Sequence, residues 1–404
     1  MMAALAAASN GSGTKITVYE KNSRVGKKLL ATGNGRCNIT NTGCGSFNYH
    51  GKAPEFVEIA LNQFAPKDTI NFFEHIGLIC KITHGGRVFP YCEQASAVLD
   101  VLRFALAHAG VEVHADTEVL TVGRSENGFA LRLRTSEGDK TGRCDALIVS
   151  TGGKAAPSTG SDGGGFKLLH ALGHPIIDPY PALTQLKTDT AIAAPLRGVR
   201  VNGRAMVICG GKGRNTRRVA MSDGEIQFTA YGLSGPAVMD ISAEVLTPNR
   251  EGTVVALDLM PHMNNCDLLE MLAMRKKRLS HLLAEDFLVG MLNKKVGQAI
   301  LKQSGVEKLS LPVRDISKAQ LSYLAQMIKN LEFHVNGHTG WEHAQTTGGG
   351  ADTSKFSALT MESKIIDGLF ATGEALDIYG DCGGYNLQWA WSSGYAAGLA
   401  AARR

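Results

Sequence analysis

Several short stretches carry the residue types that chemistry needs. Residues 15–19 (KITVY) are β-branched and aromatic and run straight into Glu20, a pattern that predicts a strand with an acid at its carboxyl end. In a dinucleotide-binding unit the second strand ends in such an acid, which holds ribose hydroxyls; an exposed strand-end acid is the plainer alternative. Residues 27–41 (KKLLATGNGRCNITN) are polar and glycine-bearing, with too little apolar periodicity for a core element, so they read as a functional loop. Residues 146–150 (ALIVS) end in Thr151, Gly152 and Gly153. Buried parallel strands have this composition when a ligand lies beyond their carboxyl ends, although a tight turn alone would also explain the glycines. Toward the end of the chain Gly373 and Glu374 leave a short predicted strand at 369–371. Gly383, Gly384, Tyr385 and Asn386 then stand at a predicted helix start, where free backbone N–H groups favour negative charge.

Other chemistries are poorly supported. The cysteines at 37, 44, 80, 92, 144, 209, 266 and 382 show no C-x-x-C spacing, so they are expected to be reduced thiols of a cytoplasmic protein. Cys37 has no resolving partner nearby and reads as a small packed residue. His334, His338 and His343 are neighbours in sequence without a spacing that converges them, and no metal site is expected. Trp389 and Trp391 lie in an alanine-rich helical stretch and read as packing residues. The formal charge of +5 is spread along the chain, which does not imply nucleic acid. The densest basic run, Arg275, Lys276, Lys277 and Arg278, closes a helical pattern and reads as a solvated helix end. No apolar run approaches the roughly 18 residues that span a bilayer, and residues 1–8 lack a basic leader.

The elements that must position these residues follow from periodicity. A chain of 404 residues predicts two or three domains. Residues 1–8 (MMAALAAA) predict a helix and 9–13 a loop, so the opening order is helix, strand, acid. Apolar residues at Ala97, Val98, Val101, Leu102, Ala105 and Leu106 predict an amphipathic helix over 93–109. Strands follow at 111–114, 119–124 and 129–135, with Glu126, Asn127 and Gly128 turning the last two. From about 185 to 331 the character changes, with strands at 199–201, 205–209, 225–228 and 253–259 and helices at 267–278, 287–303 and 318–330. This reads as an inserted substrate domain, and the expected boundaries are 1–184, 185–335 and 336–404. A final helix covers 387–402. The glycines, 47 against 12 prolines, gather at 163–165 and 348–350, where backbone can approach a ligand closely.

Glu20, the 27–41 loop, GRVFPY at 86–91 and GEALDIYGDCGGYNLQWAWSSG at 373–394 together resemble one family. It is the group of bacterial NAD(P)/FAD-dependent oxidoreductases with aminoacetone oxidase-like and bile-acid reductase-like members. The resemblance implies an α/β fold: a Rossmann-type, glutathione-reductase-like FAD-binding domain interrupted by an insert with a β-barrel-like part and a helical part. It implies that Glu20 holds the adenosine ribose and that residues 33–38 wrap the flavin. In that loop Gly33 and Gly35 allow close approach, Arg36 offers charge to the anionic parts of FAD, and Cys37 and Asn38 lie alongside. It sets Thr151, Gly152 and Gly153 beside FAD, and Gly373, Glu374 and Asp377 at the ribityl and pyrophosphate region. The helix start at Gly383, Gly384, Tyr385, Asn386 and Leu387 would then face the reduced flavin. Lys21, Lys28 and Val119 complete the implied cofactor set.

Relatives begin with a strand and a G-x-G-x-x-G turn, and Met1 falls just past its third glycine, so the expectation is that this reading of the protein lacks its first strand and phosphate-binding turn. The implied function is flavin-mediated hydride transfer on a small organic substrate that the insert would cover, with NAD(P)H or oxygen as electron partner and no covalent catalyst. The alternative is a cofactor-poor homologue acting as a scaffold or binding protein. A nucleic-acid-modifying flavoprotein of related fold would want a basic tract that the sequence lacks.

Overall fold

The computed structural model describes residues 1–10, 13–209, 217–245 and 253–404; of the predicted loop at 9–13, positions 11 and 12 lie outside the described residues. The chain divides into two compact units, one built from Met1–Ala182 with Trp341–Arg404 and the other from Leu183–Gly340. The second unit is thus a continuous insertion in the first. It is slightly longer at both ends than the 185–335 span expected from sequence. Among the described residues no helix is long and apolar enough to cross a membrane.

In the first unit Thr17–Tyr19 pairs in parallel with Glu112–His114, and Leu147–Val149 pairs in parallel with Leu369–Ala371. Every residue of Leu369–Ala371 is buried, the unalternating pattern of a parallel strand covered on both faces. The helix Met2–Ala8 packs on the helix Tyr385–Ala401 where the latter is stripped to glycine. A Cβ at Gly398 would lie 2.1 Å from the Ala3 carbonyl oxygen. Trp389 and Trp391 are both buried, and each indole N–H finds a backbone acceptor, Gly373 O at 3.0 Å and Ile39 O at 2.9 Å. Just before them Gln388, fully buried, accepts from the Thr40 and Thr69 hydroxyls and donates to Phe64 O and Ser392 Oγ. A buried amide with all its groups satisfied fixes the helix in rotation as well as depth.

Three antiparallel strands, Glu118–Ser125, Gly128–Thr135 and Gly138–Cys144, form a separate sheet of this unit. Phe129, Leu131 and Leu133 turn inward from the middle strand, which covers the strand expected at 129–135. The third strand, GDKTGRC, escapes sequence reading because it is exposed along most of its length and so carries no apolar signal. The 27–41 stretch is a loop only in part. It opens as a helix, Lys27–Ala31, passes through the turn Thr32–Gly35 and joins a sheet as Thr40–Asn41 beside Arg87–Pro90. Its polar residues hide this because partners distant in the chain satisfy them.

The second unit holds a closed barrel in the order Leu186–Thr188, Gly232–Ser234, Arg217–Thr229, Arg200–Cys209, Val254–Asp258, Leu331–His338. The strands expected at 199–201 and 205–209 are one strand. Gly203 carries it through a close approach, since a Cβ there would lie 2.7 Å from Asp258 O. The helix expected from 287 starts only at Lys294, where the Asn293 side chain caps the Lys295 N–H. Phe287 and Leu288 precede it as buried core residues. The other two helices expected from sequence, Asn265–Arg278 and Lys318–Lys329, are capped by Asn264 and Ser317. The basic run at the end of Asn265–Arg278 is not simply solvated. Arg275 donates to the carbonyls of Phe287 and Val289, and Lys276 to that of Ile316.

Candidate functional site

Many of the sequence-predicted residues of the first unit fall into three groups of mutual contacts. At one end Glu20 leaves its strand with its N–H on His114 O, and Thr117 N–H returns to Glu20 O. That bond sets the strand bearing Val119 beside the acid. One carboxylate oxygen of Glu20 accepts from Asn22 N at 2.9 Å and Asn22 Nδ2 at 2.8 Å. Asn22 also donates to Thr159 O, and Lys21 pairs with Asp162 at 2.7 Å. Burial raises the Asp162 carboxyl, but the hydrogen bonds from Lys21 and from Gly164 N–H carry it below its ordinary value. Val119 itself is half-buried against apolar core.

The next link is the turn after Leu147–Val149. Gly152 has φ +73, and a Cβ there would meet Ser161 Oγ at 3.2 Å. Ser161 is 4% exposed and its hydroxyl has no hydrogen-bond partner among the described residues. At Gly153 a Cβ would lie 2.3 Å from Thr347 Oγ1 and 2.7 Å from Glu374 Oε1, so only glycine fits. Thr347, fully buried, accepts from Lys154 N and Ala155 N through its hydroxyl and donates its own N–H to Glu374 Oε1 at 2.8 Å. The other Glu374 oxygen takes Lys28 Nζ at 2.8 Å, so two residues expected separately to contact cofactor hold each other. Gly373 N–H donates to Ser393 Oγ. Asp377 is buried, and burial pushes its carboxyl above the ordinary range while Lys52 N–H donates to it.

At the far end the Gly33–Asn38 loop meets the helix start. A Cβ at Gly384 would lie 2.6 Å from Thr40 O and 3.0 Å from Asn38 Oδ1, and Asn41 Nδ2 donates to Gly383 O at 3.1 Å. Asn38 Oδ1 is buried without a partner among the described residues. Asn386 spends its amide on the backbone, accepting from Gly380 N and donating to Gly380 O. Tyr385 gives its carbonyl to Tyr49 Oη, and Leu387 packs on core. Gly33 and Gly35 take positive φ. Arg36 is exposed, with its guanidinium 5.1 Å over the Phe89 ring and Nε on Gly33 O. Cys37 is fully enclosed, and burial raises its thiol to about 12. It is a neutral packed group, which leaves only its backbone for a ligand.

Thr347 and Ser161 are absent from the sequence-derived set. The glycine cluster at 348–350 marked the neighbourhood of Thr347, but nothing local marks a threonine whose partners come from two remote segments, Lys154–Ala155 and Glu374. Strained glycine turns, an acid beyond a parallel strand, buried polar atoms without partners and a helix start together suit an elongated ligand carrying hydroxyls and anionic groups. The ring and phosphate polar groups of a dinucleotide are of that kind.

The fold and this site define a Rossmann-type nucleotide-binding protein. A family model described as HI0933-like protein Rossmann domain matches residues 1–400, and the chain belongs to that family. It is 36% identical over 407 aligned positions, covering all of this chain and 97% of the relative, to a 3-dehydro-bile acid delta(4,6)-reductase of Clostridium scindens. It is 31% identical to a ribosomal RNA dihydrouridine synthase of Haemophilus influenzae, covering 97% of this chain and 94% of that protein. Among solved structures a 3-ketosteroid delta1-dehydrogenase from Sterolibacterium denitrificans shares the fold, with TM-score 0.50 and 13% identity over all of this chain and 97% of that one.

Proposed function

We propose that the protein is an FAD-dependent oxidoreductase that saturates a carbon–carbon double bond conjugated to a carbonyl in a small organic substrate. The observation that carries this reading is the line of glycine turns and partnerless buried polar atoms running from Glu20 through Gly152 and Gly153 to Gly384. When bound, FAD supplies two-electron hydride chemistry. Glu20, oriented by Asn22, accepts from ribose hydroxyls. The Gly152–Gly153 turn admits the backbone of the ligand, and Ser161 Oγ and Asn38 Oδ1 gain the partners they lack. Lys28 and Glu374, paired directly, with the other Glu374 oxygen on the Thr347 N–H, keep the middle of the site rigid. The N–H groups at the start of the Tyr385–Ala401 helix favour negative charge on the cofactor ring. Names of both relatives support the reaction class: a Δ4,6 bond beside a 3-oxo group and the uracil double bond are each conjugated to a carbonyl.

Purified protein should carry bound FAD, released on denaturation, and the reduced flavin should be reoxidised by a conjugated enone. Reduction by NADH and NADPH in parallel identifies the donor. A chain that neither retains nor takes up FAD is the scaffold alternative, and the reading fails. The dihydrouridine synthase relative favours a second reading, in which the same chemistry acts on uridine in RNA. Tight, salt-sensitive RNA binding would select it, and its absence selects the small molecule.

A further inference from the structure

An FAD-dependent reductase needs a two-electron donor, and the residues from Glu20 to Gly384 that suit FAD leave that donor without a docking surface. The small sheet Thr40–Asn41, Arg87–Pro90, Cys80–Ile82 carries groups that remain unused. Arg87, Phe89 and Tyr91 alternate onto one face of it, and Val88 between them is fully buried on the other. In register, Lys81 lies opposite Phe89 and Asn41 opposite Arg87. The Tyr91 N–H on Ile79 O carries the ladder one step further.

The charges on this strip do not cancel. Glu93 is taken by Lys81 at 2.6 Å, which holds its carboxyl below the ordinary value, with a smaller contribution from Arg36. The Lys81 ammonium also lies 5.7 Å over the Tyr91 ring. Arg36 places Nε on Gly33 O and its guanidinium over Phe89. Its terminal nitrogens, and the whole Arg87 guanidinium, have no hydrogen-bond or ion-pair partner among the described residues. The loop that holds Arg36 is fixed. Asn34 and Cys37, neither of them glycine, stand at φ +56 and +59, conformations that only packed surroundings maintain. A Cβ at Gly33 would meet Asn38 N at 3.0 Å and Phe89 Cε1 at 3.5 Å.

Along the strand the order is an open aromatic ring, a first guanidinium, a second guanidinium, and then Asn41, which donates to Gly383 O at the turn before the Tyr385–Ala401 helix. Tyr91 is 69% exposed, whereas Phe89 under Arg36 is 8% exposed, so the strip can stack one base and not a run of them. A guanidinium fork matches a phosphate. Arg36 over Phe89 and Arg87 are anchored at strand positions two residues, about 7 Å, apart, which suits two separate phosphate groups.

We propose that this strip docks NADPH as the electron donor, with adenine on Tyr91, the 2′-phosphate on Arg36, the pyrophosphate on Arg87 and the nicotinamide toward the Gly383 turn. The 2′-phosphate, beside the adenine, falls to the guanidinium beside the open ring, so the strip selects against NADH. The donor's role rests on the flavin oxidoreductase reading; nucleotide binding by the strip does not.

Isothermal titration of the full chain with 2′,5′-ADP and with 5′-AMP, and anaerobic reduction of the FAD-loaded protein by NADPH and by NADH, test this. Native protein should bind 2′,5′-ADP more tightly than 5′-AMP and be reduced at lower concentrations of NADPH than of NADH. Arg36→Gln should weaken 2′,5′-ADP about 10–100-fold and raise the half-saturating NADPH to the NADH value, with FAD content and limiting rate native. Arg87→Gln should raise the half-saturating concentration of both donors, and Tyr91→Ala should weaken 2′,5′-ADP and 5′-AMP alike. Lys140→Gln, on the strand Gly138–Cys144 of another sheet, should match native. Loss of FAD from Arg36→Gln would give the arginine to the cofactor and overturn the proposal. So would indifference of the native protein to the 2′-phosphate, or binding of an oligouridine RNA that Arg36→Gln abolishes while 2′,5′-ADP does not bind. If native protein holds FAD and passes electrons from dithionite to cyclohex-2-enone yet binds no 2′,5′-ADP, the strip proposal alone falls. If it holds no FAD, the oxidoreductase reading falls and the donor's role with it.

Discussion

Lys28 and Glu374 lie near opposite ends of the chain, yet their charged groups are 2.8 Å apart with side-chain exposures of 30% and 17%. Removing the cation alone strands a largely desolvated carboxylate that keeps only the Thr347 N–H. Lys28→Met is therefore expected to cost about 1–3 kcal/mol, seen as a lower urea midpoint together with weaker FAD retention. The double variant Lys28→Met/Glu374→Gln should recover part of the loss, because a neutral amide needs no counter-charge. An unchanged midpoint in the single variant would show that the pair holds nothing together. At this scale the sequence was informative about identity and silent about partnership. Lys28 and Glu374 were both expected at the cofactor, but that each is the other's partner depends on how the chain closes.

Among the elements, the two helices Met2–Ala8 and Tyr385–Ala401 depend on a glycine for their approach. Alanine at Gly398 would gain about 1 kcal/mol in helix propensity. It would also force a Cβ to 2.1 Å from Ala3 O, and overpacking of that kind costs about 1–3 kcal/mol, more where backbone must move. The clash should win, so Gly398→Ala is expected to melt at lower temperature than native. Gly394→Ala, whose Cβ would be 3.3 Å from Met2 Cβ, should stay close to native; equal melting of both variants at the native temperature would contradict the close approach. The helix was legible from its alanine content, and its tryptophans from their company. The strand Gly138–Cys144 was not, because an exposed strand carries no apolar alternation, and its place comes from pairing with Gly128–Thr135.

Over the whole molecule, the buried apolar residues segregate by unit. One cluster, from Leu186 to Phe333, is drawn entirely from Leu183–Gly340, and the other two entirely from the remaining segments. A closed barrel leaves no unpaired sheet edge, and a continuous segment with its own core needs no strand from elsewhere. Expressed alone, residues 183–340 should be monomeric and unfold in one cooperative urea transition. A non-cooperative, aggregated fragment would show that its stability is borrowed. The change of character near 185 was visible as composition, but the closure of the strands into a barrel was not, since each strand chooses its neighbour by non-local pairing.

The sequence by itself determined what is local: an acid after a β-branched run, glycines where backbone must turn left-handed, apolar periodicity for the main helices, and a motif long enough to show its kinship. Tertiary structure alone decided which polar groups meet. Thr347 gained its role from Lys154, Ala155 and Glu374, the Ser161 hydroxyl was buried without a partner among the described residues, and His50 met Asp381 beside a two-residue ladder. Local propensity depends on neighbours in the chain. Hydrogen bonds and ion pairs between remote segments depend on where the packed core leaves them.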